Sequence, residues 1–159
     1  MLNSQKIQAL LQHFLGPVSI EDPISFKTSS LQSVVLISSL NGAIISYANS
    51  DESNTSISNL KMVCLLCKDR WSEDESDPEE QSTKCCYHYQ WQMNNGRTYK
   101  TRIYTYEIED MHVVMAHIPE SDLIVLFTAN KDDFPYGLMV LKMKQSLQSI
   151  SNLYGYKLS

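Results

Sequence analysis

The sequence predicts an α+β domain with one mostly antiparallel five-stranded sheet and helices packed on its faces, in the order α-β-β-α-β-β-β-α. Three observations carry this. Apolar residues recur at helical spacing in three separated segments. Between them lie β-branched and aromatic runs of strand length, two of them broken by Asn-Gly. The chain has 159 residues, 43% of them apolar, which suits a single domain over 1–159 with a core of its own.

Taken in order, the first helix starts at Ser4 as N-cap and carries Ile7, Leu10, Leu11, Phe14 and Leu15 on one face. It reads as an amphipathic helix, not a targeting segment. Gly16-Pro17 is expected to stop it, with the glycine in the left-handed conformation. The runs "SVVLISS" and "GAIISYANS" then form a hairpin turning at Asn41-Gly42. A second helix starts near Ser58, where Leu60, Val63, Cys64, Cys67 and Trp71 make one stripe and Met62, Leu65 and Leu66 an adjacent one. An apolar arc that wide predicts burial on two sides, the second by a partner chain. Beyond it, alternation through Tyr87, Tyr89, Trp91 and Met93 turns at Asn95-Gly96 into a long strand ending near Ile108. "MHVVMAHIP" and the wholly apolar "DLIVLFTAN" follow, the latter central in the sheet. The last helix has Pro135 at its start, a stripe of Val140, Met143, Leu147, Ile150 and Tyr154, and Gly155 as its cap.

Charge narrows the function classes. Of the eighteen acids, seven lie in 69–80 ("DRWSEDESDPEE") with one base, so the rest of the chain has eleven acids against twelve bases. No basic stripe is present to neutralise phosphates, and nucleic acid is not an expected partner. The apolar runs are far shorter than the roughly 18 residues that span a bilayer, so no direct membrane insertion is expected. The acidic stretch predicts a mobile loop at about 72–84. Ser72 and Ser76, each followed by acids, are candidate phosphorylation sites within it.

The four cysteines do not make a metal centre in this reading. Cys64 and Cys67 fall inside a helical pattern, and Cys85 and Cys86 are adjacent, so their side chains diverge. Zinc knuckles instead place cysteines on tight turns. No glycine-flanked elbow or helix N-terminal cysteine marks a nucleophile. His112 and His117 are five apart on a strand and face opposite sides. With neither GxxxxGK nor GxGxxG present, no phosphate-binding loop is expected either. The chain is therefore expected to be non-enzymatic, with no catalytic residues, cofactor or metal. A small zinc- or thiol-dependent enzyme is the alternative from a different class.

Several stretches are more specific. "FKTSSLQS", "SNLKM", "DRWSEDESDPEEQ", "IYTYEIEDMH", "IPESDL", "FPYGLMVLK" and "LYGYKL" together resemble the roadblock-fold small subunit of the yeast EGO complex, the fungal counterpart of Ragulator. The resemblance covers about 26–158 and is poor at 49–57 and 85–97. It implies a non-catalytic scaffold that dimerises by pairing long middle strands and neighbouring helices into a continuous ten-stranded sheet. The implied partners are another roadblock subunit (identical or different), a lipidated membrane-anchoring subunit and a Rag-family GTPase heterodimer. The implied setting is the cytosolic face of the vacuolar membrane, in amino-acid signalling to the TOR kinase complex. A roadblock or longin module in vesicle traffic or motor regulation shares the fold. On this reading the interface residues are Met62, Leu65 and Leu66 on the second helix, with Arg102, Ile103, Tyr104 and Tyr106 on an otherwise unpaired strand edge.

Overall fold

The computed structural model describes residues 3–20, 26–50, 56–76 and 86–158. Among these residues, three α-helices, α1 (Ser4–Phe14), α2 (Ile57–Ser76) and α3 (Tyr136–Ser149), accompany eight strands. These are β1 (Ser19–Ile20), β2 (Phe26–Lys27), β3 (Ser33–Ser38), β4 (Ile44–Asn49), β5 (Cys86–Gln92), β6 (Thr98–Ile108), β7 (Met111–His117) and β8 (Leu123–Asn130). β1 and β2 form a separate antiparallel ribbon between α1 and β3. The others form one antiparallel sheet in the order β4-β3-β8-β7-β6-β5.

The sheet thus has six strands, not five. The extra one is β5, whose alternation the sequence displays but which the five-strand count merges with β6. The two are separate arms of a hairpin around Asn95-Gly96. In both Asn-Gly turns only the glycine takes positive φ, +77° at Gly42 and +82° at Gly96. The asparagine instead accepts a hydrogen bond from the amide two residues on. Gly16 is not left-handed. Asn3, not Ser4, caps α1 by accepting from the Lys6 amide, and Pro17 follows the helix end. α3 stops at Ser149, and one 3-10 turn (Ser151–Leu153) leads to Gly155 at φ +77°.

The helices divide unequally over the sheet. On one face α1 and α3 bury Ile7, Leu11, Phe14, Met139, Met143 and Leu147 against Val34, Leu36, Val114, Val125 and Phe127. On the other, α2 alone seats Leu60, Val63, Cys64 and Cys67 on Val35, Ile37, Val113, Met115, Ile124 and Leu126. β8 is buried from Leu123 to Ala129, as a central strand covered on both faces requires. Among the described residues, no helix is long and apolar enough to cross a membrane.

Gly42 ties the β3–β4 turn to α2. A methyl group there would meet Leu65 Cδ2 at 3.2 Å in addition to straining a φ of +77°. Gly42→Ala is expected to cost about 1–2 kcal/mol in a denaturant titration. A neutral result would mean that the turn relaxes freely.

Candidate partner interface on the second helix

α2 carries two apolar stripes, as its sequence pattern predicts. Leu60, Val63, Cys64 and Cys67 are buried against the sheet, whereas Met62, Leu65 and Leu66 are 49%, 49% and 52% exposed. Their i, i+3, i+4 spacing, one helical turn, brings these three together on the outer surface. Leu66 also lines a groove of about 460 Å³ with Cys67, Tyr106 and Ile108, flanked by Arg70 and Glu107.

The floor of that groove is the end of β6. β5 pairs with β6 only from Thr98 to Tyr104, so Thr105–Ile108 are paired on the β7 side alone among the described residues. This corrects the expected edge. Arg102–Glu107 is not an open strand, because β5 covers its first half. Among the described residues, Thr105–Ile108 are what β6 leaves for a partner strand, not the whole of it.

The strand residues expected at the interface separate accordingly. Ile103 points into the α1/α3 core and is 0% exposed, so it is unavailable to a partner. Tyr104 points to the α2 face and is 1% exposed. Arg102, Tyr104 and Tyr106 instead hold the end of α2. Arg102 Nη1 lies 3.2 Å from Glu75 Oε2, the Tyr104 hydroxyl donates to Glu75 Oε1 at 2.7 Å, and the Tyr106 hydroxyl donates to Asp74 Oδ2 at 2.7 Å. Burial, then these carboxylate acceptors, push both phenols well above the usual tyrosine range.

Asp74 and Glu75 were expected in a mobile loop. They are the last turn of α2, which runs to Ser76, so the helix takes in 72–76. A signal was present: Trp71 to Glu75 and Cys67 to Asp74 continue the inward stripe at i+4 and i+7. Ser72 is half-buried there, and the exposed Ser76 donates its Oγ proton to the Glu73 carbonyl at 2.7 Å. The remainder of the expected loop, 77–84, lies outside the described residues.

The thiols and imidazoles are placed for packing. Burial pushes the Cys64 and Cys67 thiols up to about 12, Cys64 adding to the effect on Cys67. Cys86 is half-buried on β5, and Cys85 lies outside the described residues. His112 Nδ1 is 3.1 Å from the Phe134 carbonyl, on the face where His112 stacks on Tyr136. His117 Nε2 is 2.6 Å from the Ser121 carbonyl and packs near Trp71 on the α2 face. The two histidines are thus on opposite sides of the sheet. Among the described residues, no group of three or more His, Cys, Asp or Glu could hold a metal ion.

A family model described as "Protein SLM4" matches residues 1–158. The chain belongs to the SLM4 family. Protein SLM4 of Saccharomyces cerevisiae is 45% identical to this SLM4-family chain over 166 residues, covering 99% of the chain and 98% of that protein. Among solved structures, an MglB "with tetrameric arrangement" is similar with a TM-score of 0.62 at 10% identity, over 96% of this chain and 92% of that one. A Roadblock/LC7 domain from Streptomyces avermitilis is similar with a TM-score of 0.56 at 12% identity, over 91% and 94%. At such identities these likenesses establish the fold, and the SLM4-family chain has the roadblock type.

Proposed function

We propose that this SLM4-family chain is a non-catalytic scaffold subunit of a vacuolar-membrane complex that binds a Rag-family GTPase heterodimer and supports amino-acid signalling to the TOR kinase complex. The observation that carries the scaffold reading is the outer face of α2. Met62, Leu65 and Leu66 are each about half exposed, and Leu66 lies beside the open end of β6. Large apolar side chains clustered in this way mark an interaction site. Here a helix face and an adjacent strand edge offer a second roadblock subunit both an apolar contact and backbone hydrogen bonds. The near-neutral remainder of the chain and the stretches shared with the EGO-complex subunit support the rest, with a separate lipidated subunit holding the assembly at the membrane.

Affinity purification of the tagged full-length chain from fungal cells tests this. Rag-family GTPases are expected to co-purify in near-stoichiometric amount, and the Leu66→Glu variant is expected to recover at least tenfold less. Recovery of vesicle-tethering or motor components with no Rag-family GTPase would replace the reading with the traffic alternative.

A further inference from the structure

α2 ends at Ser76, and beyond its last turn the same side of the sheet holds a cavity of about 500 Å³. Its lining includes His88 and Gln90 of β5, Lys100 and Arg102 of β6, His117 of β7 and Glu75 of the helix end. The chemistry here runs against that of the chain, whose net charge is −5. Two permanent cations and two imidazoles share the lining with a single carboxylate. That carboxylate is already committed, since Glu75 accepts from the Tyr104 hydroxyl and pairs with Arg102 Nη1. A guanidinium carries five N–H donors in a fixed fork, so one ion pair leaves most of them for another acceptor. Lys100 is exposed and pairs with no described carboxylate.

Strand register sets the spacing of these groups. His88 pairs with Arg102, and Gln90 with Lys100. Directly opposed residues stand about 5 Å apart, and alternate residues of one strand about 7 Å apart. The four side chains therefore rise from the corners of a rectangle of roughly those dimensions, all on the α2 side. Each corner offers a hydrogen-bond donor: guanidinium, ammonium, amide and imidazole. A tetrahedral dianion needs such a set. The guanidinium fork takes two of its oxygens, and the ammonium and its neighbours take the others.

We infer that this cavity is a binding site for a phosphate monoester carried on a polypeptide side chain, a phosphoserine or phosphothreonine of a partner protein. The cavity is much larger than a phosphate group, so it also takes in the residues that flank the modified side chain. A lipid headgroup suits it less. No aliphatic side chain lines the cavity to enter a bilayer, and anionic lipid repels a chain of net charge −5. The site does not use the outer face of α2 and is separate from the proposed scaffold role.

The test is fluorescence anisotropy of a labelled peptide with one phosphoserine flanked by glycines. It is titrated with the full chain at about 50 mM ionic strength, where screening is weak. The expected dissociation constant is on the order of 100 μM, about tenfold tighter than for the same peptide with glutamate in place of phosphoserine. Lys100→Gln is expected to weaken binding at least fivefold. Arg102→Lys, which keeps the charge and loses the fork, is expected to weaken it by a similar factor. Lys6→Gln on α1 removes the same charge from the chain and is expected to leave binding unchanged. Near-ultraviolet circular dichroism confirms that the variants remain folded. Three results each overturn the proposal: no binding at about 1 mM, equal losses in Lys100→Gln and Lys6→Gln, or a glutamate peptide that binds as well as phosphoserine. Lys100-dependent binding to phosphatidylcholine vesicles carrying a phosphoinositide, with none to the phosphopeptide, also overturns it and gives the cavity to a lipid headgroup.

Discussion

Leu66→Glu is expected to give a folded chain that no longer assembles through α2. Leu66 is 52% exposed, so a carboxylate there stays hydrated in the free chain and fold stability changes little. Once a partner covers the helix face, the same carboxylate is desolvated without a counter-ion, at a cost of roughly 3–5 kcal/mol. That corresponds to a loss of affinity of two to three orders of magnitude or more. Leu153→Ala provides the contrast. Leu153 is 4% exposed in the turn after α3, away from the outer face of α2, and its truncation leaves a cavity costing about 2–4 kcal/mol. It should lower the unfolding midpoint while assembly persists. Light scattering and sedimentation at micromolar concentration separate the two effects. A monomeric parent protein, or a Leu66→Glu variant that assembles normally, counts against an α2 interface.

The second large effect concerns the thiols of α2. Burial raises Cys64 and Cys67 from an ordinary 9.0 to about 12, so at neutral pH their thiolate fraction is about a thousandfold below that of the unfolded chain. Alkylation under native conditions, followed by mass spectrometry, should slow in proportion. Rapid labelling of Cys64 in the folded protein would refute its inward placement. The same shift fixes a direction for stability. Folded pKa values above the unfolded ones mean that the contribution is complete below pH 9 and is lost as pH rises from about 9 to 12. Metal binding requires the deprotonated thiol, which this environment opposes.

What the sequence made legible follows from how local each determinant is. The two stripes of α2 are set by 3.6-residue periodicity, and Met62, Leu65 and Leu66 could be assigned outward without knowing what lay inward. Gly42 and Gly96 turn their hairpins because only glycine takes positive φ without strain. The misplaced determinants are tertiary. Composition reads Glu73, Asp74 and Glu75 as a solvated loop. The phenols and guanidinium that hold the last two come from a strand roughly thirty residues away, as the contacts of Tyr104 and Tyr106 show. Ile103 and Tyr104 looked suited to an interface because both are large. Strand alternation sends adjacent side chains to opposite faces, and here both faces are covered. Whether β6 was an edge depended on where β5 paired; the Asn95-Gly96 turn carried that signal locally, and counting its two arms as one strand left the pairing unread.

The way α2 ends has a consequence for how the molecule opens. Acids at a helix C-terminus face the negative end of the helix dipole, so the turn Glu73–Ser76 works against its own electrostatics. It stays wound because Arg102, Tyr104 and Tyr106 grip it from the sheet. Local unfolding should therefore begin there, with the terminal turn peeling from β6 while the Leu60–Cys67 half stays seated. Such an opening unit responds to ionic strength and to added negative charge. A phosphate on Ser76 would deepen the conflict with the dipole and lower the free energy of that first step, loosening the end of α2 without touching the core.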